Sequence, residues 1–123
     1  MSKKIEVSDE IYEKIKDQLV SEPLITEDGL TYCIIRTYKA GCFAGYINRE
    51  REKKSEATVK NARRLWYWSG ASSLSQLASE GVKNPDECKF PCEVNIDLVG
   101  IIEVIPATEE AKKSINETPI WKQ

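Results

Sequence analysis

The sequence contains no histidine, and that absence limits the chemistry open to a chain of 123 residues. Without histidine, the Ser-His and Cys-His schemes of nucleophilic catalysis are excluded. The chain also lacks the side chain that most often serves as a general base near neutral pH. Carboxylate, lysine and tyrosine chemistry stays open, but the balance moves from catalysis towards binding.

The sequence also lacks an excess of basic charge and any long apolar run. Its net charge is −2 and its pI about 5.3, whereas proteins that bind duplex nucleic acid usually carry a basic face. No apolar run approaches the roughly 20 residues that cross a bilayer. The first residues, MSKKIEVSDEIYEK, lack the apolar core of a signal peptide. We therefore predict a cytoplasmic protein without a membrane or duplex nucleic acid partner.

The four cysteines are poorly spaced for a metal site. Among four cysteines the only close pair is Cys88 and Cys92, in CKFPC. Zinc sites usually combine two such short units, and Cys33 and Cys42 lie too far apart to form the second. Cys33 lies in the apolar run YCIIR and is expected to be a small core residue. We predict no metal, no cofactor and no catalytic residue.

The apolar pattern predicts one domain over residues 1–123, with a β-rich core over about 30–122. Residues 8–20 carry Ile11, Ile15 and Leu19 at helical spacing. Residues 30–39 and 57–68 read as strands, the second with a bulge near Ala62 to Arg64. The remaining predicted elements are a hairpin strand in 40–49, a charged loop at 50–56, a helix at 72–82, one or two strands around Gly100 in 92–106, and a helix at 108–115.

This order predicts an α+β fold: a mostly antiparallel sheet, an N-terminal helix and two short helices. The short helices are expected to begin at a serine or threonine cap, Ser72 or Ser73 for the first and Thr108 for the second. The first is expected to end at Gly81.

The run NARRLWYWSGASSLSQLASEG, residues 61–81, concentrates the chemistry of the chain. Arginine offers a planar fork of donors suited to phosphate, and tryptophan and tyrosine offer flat faces for a base. A Ser-Gly turn entering a helix presents backbone N–H groups to an anion. These features predict a pocket for a flat, anionic nucleotide, lined by Asn61, Arg63, Arg64, Trp66, Trp68, Ser69, Gly70 and Ser72, with Arg36 as a secondary candidate.

The same run also fits a purely structural interpretation. One of Trp66 and Trp68 is expected in the core whatever the function, because large aromatics dominate core packing. Arg63 and Arg64 are adjacent, so on a strand they point to opposite faces and at most one reaches a given pocket. The other arginine pairs with an acidic residue or reaches a second subunit. A serine at a helix start is usually only a cap.

The run NARRLWYWSGASSLSQLASEGV, with YCIIRTYKAGCFAGYI before it and IIEVIPATEEAKKSI after it, resembles the first type of phage Thoeris anti-defence proteins. The resemblance covers roughly residues 30–122. It implies a homo-oligomer in the cytoplasm of the infected or lysogenic bacterial host. Such a protein would bind a cyclic ADP-ribose isomer made by TIR-domain immune enzymes, near a subunit interface. It would sequester this signal without degrading it, and some members bind cyclic oligonucleotides.

Three other functions stay open at this point. A nucleotide-cleaving enzyme would use carboxylates with a metal, but the acidic residues lack metal-type spacing: Asp86, Glu87, Glu93, Asp97 and Glu103. A protein–protein inhibitor of a host defence enzyme would carry its tryptophans on an exposed patch. A structural or packaging phage protein is compatible with the small size.

Overall fold

The structure, a computed structural model, describes residues 24–122. The predicted helix at 8–20 lies outside the described residues. The elements, in chain order, are β1 (Thr31–Thr37), β2 (Cys42–Ile47), β3 (Glu56–Arg64), α1 (Leu74–Glu80), a 3-10 helix (Pro85–Glu87), β4 (Val94–Val99), β5 (Ile101–Pro106) and α2 (Glu109–Glu117). The predicted α+β fold with two short helices is confirmed.

All neighbouring strands are antiparallel, in the order β4-β3-β2-β1-β5. β4 and β5 lie at opposite edges of this sheet, yet only Gly100 separates them along the chain. The carbonyl of Gly100 accepts a hydrogen bond of 2.8 Å from the N–H of Tyr38, after β1. The next N–H, of Ile101, donates at 3.0 Å to Ser55, before β3. The sheet therefore curls until its edges meet, as in a small barrel.

Gly100 makes this corner possible because it adopts a φ of 72°. That conformation carries a steric penalty for residues with a Cβ and almost none for glycine. The chain can therefore leave its pairing with β3 and continue directly along β1.

The strands separate two apolar cores, and β1 contributes to both through alternate residues. Ile34 packs in the outer core, between the sheet and the helices, whereas Ile35 packs in the inner core, inside the curled sheet. The inner core consists of Cys33, Ile35, Phe43, Ile47, Val59, Ala62, Leu98 and Ile101. The predicted core position of Cys33 is confirmed.

Both helices begin at a residue that the sequence offers as a cap, and the first ends at the predicted glycine. The side chain of Ser73 accepts from the N–H of Gln76, Thr108 caps α2 in the same way, and Gly81 ends α1. The two helices cover the outer core with Leu77, Ala78, Ala111 and Ile115. Within residues 24–122, neither helix has the length and apolar character needed to cross a bilayer.

β3 differs from its prediction in two respects. Its register shifts between Val59 and Ala62, N-terminal to the predicted bulge. The strand also ends at Arg64 rather than at residue 68. It ends there because the following residues pair with a different segment: the N–H of Trp66 donates to the carbonyl of Lys89 at 3.2 Å.

Candidate functional site

The predicted pocket residues are distributed over several parts of the molecule. Arg63 and Arg64 point to opposite faces of β3, as their adjacency predicts. Arg63 lies on the side of the outer core and is only 3% exposed. Its guanidinium donates to five backbone carbonyls, those of Pro91, Ile115, Thr118, Phe90 and Pro119. A guanidinium has five N–H groups, so in this arrangement all of them have partners within the fold.

Arg64 and Arg36 lie apart from Arg63 and from each other. Arg64 is half-buried, donates to the carbonyl of Ala40 at 2.7 Å and places its guanidinium 4.5 Å from the ring centre of Phe43. Arg36 is exposed, and its Nε lies 3.4 Å from a carboxylate oxygen of Glu103 on the adjacent strand. Both arginines therefore have partners within the fold, in separate places.

The Ser-Gly turn connects two loops through the hydroxyl of Ser69. Ser69 donates its hydroxyl to Glu87 at 2.9 Å and accepts from the side chain of Asn84 at 3.0 Å. Gly70 has a φ of 94°, and a Cβ there would lie 2.4 Å from the backbone nitrogen of Lys83. Glycine at position 70 is therefore required by both conformation and space.

The start of α1 has its own partners. Ser72 donates its N–H and its hydroxyl to the side chain of Gln76, at 2.9 and 2.7 Å. Ser73 in turn accepts from the N–H of Gln76. The helix has only 7 residues, so the positive end of its dipole is weak. Ser73 is therefore the capping residue, and Ser72, just before it, is bonded to the third residue of the helix.

Asn61 lies at the register shift of β3, away from the other predicted residues. It adopts a φ of 52°, and its N–H donates to the side chain of Asn95 at 3.1 Å. A shallow depression of about 340 Å³ lies beside it, lined also by Asp28 and Lys60. A second open depression, of about 450 Å³, lies near Arg51 and Asp97. Of the nine predicted site residues, these two depressions include Asn61 alone.

The two tryptophans have different environments. Trp68 is half-buried against the outer core, as expected for one of the pair. Trp66 is 64% exposed. Tyr67 between them is 53% exposed and pairs antiparallel with Lys89. The exposed aromatic surface of this run is therefore formed by Trp66 and Tyr67.

A row of three side chains follows from this pairing. Tyr67 and Lys89 are directly opposite, so their side chains share one side of the small ladder. The ammonium of Lys89 lies 5.6 Å from the ring centre of Trp121. Trp121 is held there by its own N–H, which donates to Phe90 at 2.9 Å. We call Tyr67, Lys89 and Trp121 the aromatic row.

The aromatic row combines one positive charge with two flat faces. An ammonium attracts phosphate as a point charge, and a base can stack on tyrosine or tryptophan. The prediction from sequence included neither Lys89 nor Trp121, because they lie in an irregular loop and in the terminal tail. Their signal was the recurrence of aromatic and basic residues in CKFPC and IWK, which becomes meaningful only once the three segments pair.

The buried thiols are held in their neutral form. Burial raises the pKa of Cys33 to about 11. Burial also raises the pKa of Cys88, although the N–H of Ser69 opposes the rise. A raised pKa disfavours the thiolate, which is the nucleophilic form. Among residues 24–122, no group of three or more acidic, cysteine or histidine side chains is arranged to hold a metal ion.

Residues 30–115 match a family described as a domain of unknown function (DUF6948). No curated protein and no solved structure matches the chain.

Proposed function

Because the chain belongs to this family, whose description leaves the function open, we propose a function from its own chemistry: the aromatic row binds a small, flat, anionic ligand of the cyclic nucleotide class. The Lys89 ammonium lies beside the Trp121 ring, and the backbone of Lys89 pairs with that of Tyr67; this arrangement carries the proposal. Lys89 contacts the phosphates, and a ring of Tyr67 or Trp121 stacks on the base.

The proposed role is sequestration without conversion. The chain has no histidine, and the pKa values of Cys33, Cys42 and Cys88 are raised by burial, so these groups favour neither general base nor thiolate catalysis. With the resemblance to Thoeris anti-defence proteins, the ligand we propose is a cyclic ADP-ribose isomer made by bacterial TIR-domain enzymes. The protein would then act as a phage-encoded sponge in the host cytoplasm.

A second copy of the chain completes the proposed site. Tight binding of a compact ligand usually requires burial of most of its surface. The row is an open surface, and neither of the two depressions described above includes its residues. We therefore propose a homo-oligomer in which a second protomer covers the ligand on the row.

The test is a thermal-shift and titration panel of cyclic ADP-ribose isomers and cyclic dinucleotides. Lys89→Ala and Trp121→Ala are compared with Lys113→Ala, which removes the same charge from an exposed position on α2. We expect one panel member to stabilise the wild type. Trp121→Ala should weaken the binding free energy by about 1–3 kcal/mol. Lys89→Ala should weaken binding and reduce its dependence on salt. Lys113→Ala should bind as the wild type does.

The bound ligand is then released by heating and identified. Recovery of the intact ligand supports sequestration, and an altered product makes the protein an enzyme. If no panel member stabilises the wild type, the nucleotide proposal fails. Light scattering with and without ligand measures whether a second copy joins the complex.

One observation favours a second candidate function, inhibition of a host defence enzyme by direct contact. Trp66 is 64% exposed and Ile120 54% exposed, as expected for anchors of a protein interface. Trp66→Ala separates the two candidates. Loss of inhibition of the partner with unchanged nucleotide binding would support the protein interface.

A further inference from the structure

The guanidinium of Arg63 joins the segments that carry the aromatic row. Every one of its N–H groups donates to a backbone carbonyl, at distances between 2.6 and 3.2 Å. These acceptors fall into two places. Phe90 and Pro91 directly follow Lys89. Thr118 and Pro119 directly precede Ile120 and Trp121, and Ile115 lies near the end of α2.

Arg63 thus sits between two segments that share few other bonds. In the described residues, the backbone pairing of these segments is the bridge between Phe90 and Ile120, with the hydrogen bond from Trp121 to Phe90. The guanidinium adds bonds to both segments from one rigid group. Its central carbon, Cζ, also lies 5.4 Å from the ring centre of Phe90. The distance between Lys89 and Trp121 therefore depends on a side chain that belongs to β3.

Only arginine can make this set of contacts. Its donors are fixed in a planar fork, so they reach carbonyls in several directions at once. A lysine in the same place has three donors on a single nitrogen and cannot reach both segments equally. The side chain is 3% exposed, so water cannot readily replace a lost bond, and an unsatisfied buried carbonyl destabilises its segment.

We infer that Arg63 is a positioning residue, which holds the 89–91 and 118–121 segments together so that Lys89 and Trp121 form one site, without contacting the ligand itself. This inference rests on the proposed function for its effect on binding. Its structural part is that Arg63 keeps the aromatic row in a fixed arrangement, and this can be measured without any ligand.

The variant Arg63→Lys keeps the positive charge and removes the fork. The matched control is Val59→Ala, on the same strand but in the inner core, whereas Arg63 lies on the side of the outer core. For each protein we would measure hydrogen exchange at the N–H of Trp121, at that of Trp66 and, as a remote reference, at that of Ile101. Binding of the best panel ligand and overall stability are measured alongside.

In Arg63→Lys, protection at Trp121 and Trp66 should fall much further than protection at Ile101. Ligand affinity should drop by about tenfold, because the loss of positioning should weaken binding by about as much as the loss of one hydrogen bond. Val59→Ala should lower all three protections together and leave the affinity of the folded protein unchanged. The inference is overturned if Arg63→Lys also lowers the three protections equally, or if the row stays protected.

A failure of the positioning role of Arg63 and a failure of the proposed ligand binding can be distinguished. If no ligand binds the wild type but Arg63→Lys selectively loosens Trp121, the proposed function is wrong and the positioning role stands. If Arg63→Lys does not fold, the wild type supplies the test. The Nε–H of Arg63, which donates to Pro91, should then exchange in the same opening event as the N–H of Trp121 across a denaturant series. Different opening events would overturn the inference.

Discussion

At the scale of single residues, the molecule uses polar groups mainly to hold its own loops. Ser69 bonds to Glu87 and Asn84, Ser72 to Gln76, and Arg63 to five carbonyls. Each residue type suits an anion site equally well. A residue holds a loop rather than an anion when its hydrogen-bond donors already have partners within the fold. Whether they do depends on distant segments of the chain.

Cys33 gives a prediction at this scale. In the unfolded chain its thiol ionises near its ordinary pKa of 9.0, and burial raises the folded pKa to about 11. Between pH 9 and pH 11 the unfolded state therefore loses its proton first, and the free energy of unfolding falls as pH rises. The contribution of Cys33 to this fall should amount to about 2–3 kcal/mol.

Urea titrations at several pH values measure this fall. Cys33→Ala should have lower stability at neutral pH. Its decline above pH 9 should be shallower, because one of the thiols whose pKa is raised by burial is gone. Cys92→Ala, at an exposed position, should decline as the wild type does. A Cys33→Ala protein with the wild-type slope would contradict the assignment.

At the scale of elements, the cap of α2 is expected to contribute more to the stability of the fold than the cap of α1. Thr108 accepts from the N–H of Ala111 at 3.1 Å and also donates to the carbonyl of Ser79, near the end of α1, at 2.6 Å. Thr108→Ala should therefore cost about 1–2 kcal/mol, and Ser73→Ala, which loses the cap contact alone, about 1 kcal/mol.

Thr108→Ser is the control, because it retains the hydroxyl and should lie close to the wild type in thermal unfolding. An equal cost for Thr108→Ala and Ser73→Ala would show that the bond between the helices contributes nothing.

The elements that could be predicted from the sequence are those with local causes. β1 follows from its β-branched and aromatic residues and α1 from helical spacing. Ser73, Gly81 and Thr108 mark helix ends through contacts within a few residues. The end of β3 at Arg64 could not be predicted, because Trp66 leaves the sheet to pair with Lys89. The aromatic row was missed for the same reason: its three members come from three segments, and nothing local connects them.

At the scale of the whole molecule, the two cores share their strands and should unfold together. Leu77 is fully buried in the outer core and Ile35 in the inner core, while β1 contributes to both. Leu77→Ala and Ile35→Ala should each cost about 2–5 kcal/mol and shift one common transition. Far-UV and near-UV circular dichroism should report the same midpoint, and a second transition in either variant would contradict the coupling.

The bonds of Arg63 also bear on how fast the protein folds. Those to Phe90 and Thr118 join residues 27 and 55 positions apart, and contacts of such separation delay folding because long loops must close first. During synthesis on the ribosome, Arg63 emerges well before its acceptors. We therefore expect the charge of Arg63 to stay hydrated while the hairpin of β1 and β2 forms. We expect the aromatic row to be completed late in folding, when the guanidinium reaches its carbonyl acceptors.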